Sequence, residues 1–71
     1  MNAPKLTTQQ VDAALAFFKA FASFKASTPA NRAAADRHLD RALAAYRKAH
    51  NLSDAYGLMD CIVHFNQIHA R

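Results

Sequence analysis

Hydrophobic residues recur along this chain at intervals of three and four, the spacing that places side chains on one face of an α-helix. The first third of the chain carries the widest such arc, which spans about half of the circumference of an ideal helix. We expect this arc to be buried against other apolar surface, either of the same chain or of another one. Its members are Val11, Leu15, Phe17, Phe18, Phe21 and Phe24.

The first helix has a clear beginning and end in the sequence. Thr7 is followed three residues later by Gln10, the capping-box pattern in which each side chain bonds the backbone N–H of the other residue. Pro29 pushes the residue before it out of the helical region. We therefore predict a first helix over residues 8–26.

Two further helices follow. Thr28 has the side chain of an N-cap and Pro29 suits the first helical position, which predicts a second helix over residues 29–50. Asn51 tolerates the left-handed conformation that ends many helices. A third helix is predicted over residues 54–69.

Gly57 leaves the start of the third helix open. A glycine inside a helix costs about 1 kcal/mol relative to alanine, so it calls for a reason in an alanine-rich chain. One reason is close approach to Phe17 or Tyr46. The other is that the helix begins later, at Gly57 or Leu58, with the glycine in the connecting turn.

These elements predict an all-α fold, a compact antiparallel three-helix bundle in which residues 1–71 form one domain and residues 1–6 a flexible arm. In a closed bundle each helix buries about a third to a half of its surface, and the first and third helices carry more apolar residues than that. The excess favours completion of the bundle by a symmetric homodimer. The alternative is that large phenylalanines balance small alanines across one core.

Four residues at the edges of these apolar arcs are candidates for contact with a partner or with a second copy. Two lie in the first helix and two in the third. They are Phe17, Phe24, Phe65 and Ile68.

The small size of the domain and its single cysteine also favour association with another chain. A domain of 71 residues buries only about 60% of the surface that its unfolded chain exposes, so it needs further stabilisation. Cys61 is the only cysteine, which excludes an intrachain disulfide and a thiol-rich zinc site. Association with another chain is the remaining source of stability. The lone thiol and the lack of a secretory or membrane-spanning pattern predict a cytoplasmic protein without membrane contact.

The net charge of +4 is concentrated in the second helix. Arg37, Arg41 and Lys48 fall on one line that points away from Leu39 and Leu43. Such a line suits an acidic protein surface or nucleic-acid phosphates. The alternative is a solvated face that keeps the protein soluble. No aromatic residue alternates with these cations for stacking on bases.

Residues with catalytic chemistry form no recognised arrangement. Asp60 and His64 lie one helical turn apart with Cys61 between them, but a surface ion pair explains that spacing as well. The chain's four histidines match no compact metal-binding motif, so we predict surface or boundary histidines and pH sensitivity near neutrality. We expect no enzyme activity, no metal and no cofactor. The four are His38, His50, His64 and His69.

Together these features predict a small helical protein–protein interaction module, an adaptor or a regulator or inhibitor of a larger assembly. Its expected partner is a protein, with an acidic surface facing the cationic line, and self-association into a homodimer is expected. The alternative function is nucleic-acid binding by a basic homodimer.

Overall fold

A computed structural model describes residues 5–69 of the chain. This range contains three α-helices and no β-strand, which confirms the all-α fold. The helices are α1 (Thr8–Ala26), α2 (Arg32–Ala49) and α3 (Leu58–Ile68). The greater part of the predicted flexible arm, residues 1–4, lies outside the described range.

The capping box at the start of α1 is confirmed. Gln10 N–H donates to Thr7 Oγ1 at 3.1 Å, and Thr7 N–H donates to Gln10 Oε1 at 3.0 Å. Two of the backbone donors that a helix start leaves unpaired are thereby satisfied. The observed helix has the predicted bounds.

The α2 helix begins three residues later than predicted. The N–H of Asn31 donates to the Thr28 carbonyl at 3.0 Å, which closes a turn that contains Pro29. The Arg32 side chain then reaches back, and its Nε donates to Ser27 Oγ at 2.8 Å. Because these bonds shape residues 28–31 into a separate turn, Asn31 rather than Thr28 stands at the N-cap.

The connection between α2 and α3 is longer than predicted, and it is organised by its own hydrogen bonds. Asn51 adopts the predicted left-handed conformation, with φ of 56°. Leu52 N–H donates to the Arg47 carbonyl at 2.8 Å, and the Arg47 guanidinium donates to the Tyr56 carbonyl at 3.0 Å. These contacts hold residues 51–56 beside the end of α2.

Gly57 is the N-cap of α3, so the later of the two possible starts is the observed one. Its N–H donates to Asp60 Oδ2 at 3.3 Å. A Cβ atom at this position would meet nothing within 4 Å, so close approach of a neighbour does not explain the glycine. The predicted start at residue 54 was four residues early.

The helices α1 and α2 pack antiparallel along their lengths. Near one end Gln10 Nε2 donates to the Ala49 carbonyl at 3.3 Å, and near the other the Arg32 guanidinium lies 5.2 Å from the centre of the Phe24 ring. Their shared core is small, because alanine supplies three of its eight buried residues. The buried residues are Ala14, Phe17, Ala20, Leu39, Ala42, Leu43, Tyr46 and Cys61.

The α3 helix adds one fully buried side chain to this core, that of Cys61. Phe65 packs partly buried against it, with its ring centre 6.3 Å from that of Phe17 and 6.5 Å from that of Tyr46. The last turns of α2 and of α3 lie together, as the contacts of His50 with His69 show. This placement leaves much of the apolar surface of α3 outside the core.

Candidate functional site

Four large apolar side chains on α1 and α3 are at least half exposed. Leu15 and Phe18 on α1 are 53% and 58% exposed. Met59 and Val63 on α3 are 71% and 52% exposed. We call these four residues the apolar face. Single exposed apolar residues are ordinary on a protein surface, but a contiguous group of them is typical of an interaction site.

Phe18 of the apolar face also lines a groove. It lies between α1 and α3 and has a volume of about 240 Å³. The Phe18 ring stacks across it on Phe65, with ring centres 6.0 Å apart and planes 11° apart. Leu15, Met59 and Val63 are not among the residues that line this groove. Its lining residues are Phe17, Phe18, Phe21, Ile62, Phe65 and Asn66.

The four predicted apolar contact residues are not equally available. Phe17 is only 2% exposed and packs on Tyr46 with ring centres 5.1 Å apart, so it belongs to the core and its prediction as a docking residue is corrected. Phe24 and Phe65 are partly buried, and Ile68 is 39% exposed. The apolar stripe of α1 faces outward through Leu15 and Phe18 instead.

The sequence did not show which of Phe17 and Phe18 faces the core, because apolar side chains cover about half of the circumference of α1. Any rotation within that arc buries some phenylalanines and exposes others. The signal that could have identified the inward side is the small volume of the side chains around Phe17. Ala14 and Ala20 flank Phe17 on the inward side, where close helix contact requires small residues.

The predicted cationic line is present on α2. Arg37, Arg41 and Lys48 are all exposed. At 100° per residue they lie on the side of the helix opposite to the buried Leu39 and Leu43. The cations therefore point away from α1 and from the shared core.

Three of the four histidines meet around one buried tyrosine. The Tyr46 hydroxyl and His64 Nδ1 form a hydrogen bond of 2.7 Å, and His50 Nε2 lies 3.0 Å from His69 Nε2. The ring centres of His50 and His64 are 4.8 Å apart. We call Tyr46, His50, His64 and His69 the histidine cluster. His38 is exposed and takes no part in these contacts.

Burial shifts the titration of the whole histidine cluster. It lowers the pKa of His50, which the nearby His64 and His69 lower further. Burial also lowers the pKa of His64 and of His69, the latter with a contribution from His64. The same desolvation, with the Cys61 thiol beside it, raises the pKa of Tyr46 to about 12. For every member the shift favours the neutral form.

The grouping of Asp60, Cys61 and His64 does not form one site. The Asp60 carboxylate accepts from the Gly57 N–H, whereas His64 bonds Tyr46. Burial raises the pKa of Cys61, against the opposing effect of Arg47, so its reactive thiolate is disfavoured. Within residues 5–69, no group of three or more histidine, cysteine or acidic side chains is placed to hold a metal ion.

Over the same described residues, no helix has the length and apolar character needed to cross a membrane. No family model, curated protein or solved structure matches this chain.

Proposed function

We propose that this chain is a protein–protein interaction module that acts by contact, as an adaptor or regulator, and that it docks through the apolar face. The observation that carries the proposal is the exposure of Leu15 and Phe18 on α1 and of Met59 and Val63 on α3. The occupant of the apolar face, in our proposal, is a second copy of the same chain. The single free, buried Cys61 is compatible with a cytoplasmic setting.

The gain and the cost of dimerisation are similar in size, so the proposed dimer depends on concentration. Full burial of a large apolar side chain contributes about 1.5–3 kcal/mol, so covering the exposed half of four of them contributes about 3–6 kcal/mol per copy. Two copies together gain about 6–12 kcal/mol. Loss of translational and rotational freedom costs about 4–15 kcal/mol, so the net affinity is modest.

The distribution of charge supports a second copy as the occupant. Two copies carry the same positive charge, which opposes their association. However, Arg37, Arg41 and Lys48 lie on the outer side of α2, away from the core and from α1. A symmetric dimer formed through α1 and α3 therefore keeps these cations apart.

Sedimentation equilibrium over a range of about 5 μM to about 1 mM tests the proposal. The average mass should rise with concentration from that of one chain towards that of two. Phe18→Glu and Met59→Glu should each hold the protein at the mass of one chain, because a carboxylate would be buried without a partner. Ala45→Glu, which adds the same charge at an exposed site on α2, should associate like the wild type.

Two results would contradict this proposal. A wild-type chain that stays monomeric at the highest concentration would show that no second copy covers the apolar face. Association that persists in both glutamate variants would show that the contact lies elsewhere. Circular dichroism at low concentration checks that each variant keeps its helices, since all three substituted sites are exposed.

A second candidate function is binding of nucleic acid by the cationic line. The observation in its favour is that Arg37, Arg41 and Lys48 share the outward side of α2. Binding to duplex DNA should then weaken with salt, with a log–log slope of about −3 for three phosphate contacts. The double variant Arg37→Ala/Arg41→Ala should abolish it. Absence of binding at low salt would exclude this function.

A further inference from the structure

The histidine cluster forms a polar contact between α3 and the end of α2. On α2 and its cap it consists of Tyr46 and His50, and on α3 of His64 and His69. The rings of His50 and His69 lie 5.0 Å apart between centres, nearly perpendicular to each other. Two hydrogen bonds thus join the C-terminal half of α3 and its C-cap to the last turn of α2 and its C-cap.

The bond between His50 and His69 sets a limit on protonation. Their Nε2 atoms lie 3.0 Å apart, so one nitrogen donates its proton and the other accepts it. One added proton leaves this arrangement intact, because an imidazolium can still donate to a neutral partner. A second added proton places N–H against N–H and leaves no acceptor.

We propose that the histidine cluster is an acid-sensitive latch, which holds α3 against α2 when His50 and His69 share one hydrogen-bonding proton and releases α3 when both rings become cationic. Like charges about 5 Å apart in a partly buried setting repel strongly. Release lets both imidazolium ions regain their hydration. The α1–α2 pair has its own core and stays folded.

Within residues 5–69, no carboxylate bonds a member of the cluster to offset this repulsion. The groups that face it from α2 are Tyr46 and His50, and from α3 they are His64 and His69, with the Cys61 thiol beneath. The α1 helix contributes the uncharged Phe17 ring against Tyr46. The nearby charges of Arg47 and Asp60 act on Cys61, and Asp60 is engaged at the start of α3.

The direction of the pH effect follows from the lowered histidine pKa values. Each of the three imidazoles binds a proton more readily when α3 is released, with its ordinary pKa of 6.5 restored. Closure is therefore at full strength above about pH 6.5 and is lost as the pH falls below it. Each extra proton bound on release increases the opening constant up to about tenfold per pH unit.

Cys61 provides a single reporter of the opening. It is the only cysteine, it lies on α3, and its exposure is 0%. Its labelling rate with a dipyridyl disulfide, a reagent that also reacts in mild acid, is measured at a series of pH values. Division by the rate of the denatured protein at the same pH removes the effect of pH on the reagent and on the thiol. The ratio reports the fraction of open molecules.

The opening constant of the wild type should increase at least tenfold between about pH 7.5 and about pH 5.5. Most of the helical circular dichroism should persist, because α1 and α2 have 19 and 18 residues against 11 in α3. A change below about threefold would overturn the proposal. Loss of all helical signal in parallel with Cys61 labelling would also overturn it, since that would be general unfolding.

Two variants separate the latch from other titrations. His50→Gln/His69→Gln replaces both rings by neutral amides, which can still bond each other, and it should reduce the pH dependence of Cys61 labelling to the contribution of His64. His38→Gln removes an exposed histidine outside the cluster and should retain the wild-type pH dependence. If the double variant does not fold, the wild-type pH series still decides. Equal pH dependence in the double variant and the wild type would overturn the latch.

Discussion

The neighbouring residues Phe17 and Phe18 offer a direct test of which side of α1 faces inward. Phe17 is 2% exposed and Phe18 is 58% exposed, although both are phenylalanines in the middle of one helix. Substitution of each by alanine removes the same atoms and changes the helix propensity by the same amount. Any difference in stability between the two variants therefore reflects their tertiary environment.

The expected magnitudes differ severalfold. Phe17→Ala removes a buried ring that contacts Tyr46 and Phe65, and such substitutions cost about 3–5 kcal/mol. Phe18→Ala removes a ring that is more than half in water, so it should cost about 1 kcal/mol or less. A domain of this length has a total stability of about 4–11 kcal/mol, so Phe17→Ala brings it close to unfolding.

Urea unfolding followed by circular dichroism measures both effects, at a few micromolar protein so that association does not contribute. With a slope of about 1 kcal/mol per molar urea, Phe17→Ala should lower the midpoint by about 3–5 M and Phe18→Ala by about 1 M or less. If Phe17→Ala does not fold, Phe17→Leu, with an expected loss of about 1–2 kcal/mol, takes its place. Equal losses, or a larger loss for Phe18, would refute this orientation of α1.

Three further predictions concern single sites. Thr7→Ala should lower the free energy of unfolding by about 1 kcal/mol through loss of the N-cap bond, whereas Thr8→Ala, one residue inside α1, should have a much smaller effect in the same urea assay. Gly57→Ser should raise it by about 0.5–1 kcal/mol, because φ of −82° suits any residue and the space beside it is open; a loss of stability would contradict this account of the α3 N-cap. In a Tyr56→Phe background, ultraviolet absorbance should show that Tyr46 ionises near pH 12. Because the pKa of Tyr46 is raised on folding, the free energy of unfolding should decrease as the pH rises from about 10 towards 12. Ionisation at its ordinary pKa of 10.0 while the helices persist would show that the hydroxyl is not buried.

Local signals in the sequence were sufficient for α1 and less so for the later elements. The capping box at Thr7 acts within four residues, so its outcome depends little on the rest of the fold. At Thr28 the same kind of local signal competed with the turn closed by Asn31 and with the Arg32 bond to Ser27. The start of α3 depended on contacts between Arg47 and Tyr56, which lie outside any short motif.

The candidate sites could be predicted only in part. The outward direction of Arg37, Arg41 and Lys48 followed from helical periodicity, because α2 has one clear apolar side. Periodicity did not show whether Phe17 or Phe18 faces the core, because α1 is apolar over too wide an arc. The contact between His50 and His69 depends on how α3 packs against the end of α2. Their spacing along the chain does not predict it.

A concentration series of two-dimensional amide NMR spectra tests the central claim most directly, because it locates the surface that a second copy covers. The account predicts shifts that grow with concentration at Leu15, Phe18, Met59 and Val63, while Arg37 and Arg41 on the outer side of α2 stay constant. Spectra that are unchanged across the series, or changes centred on the outer side of α2, would contradict docking through the apolar face.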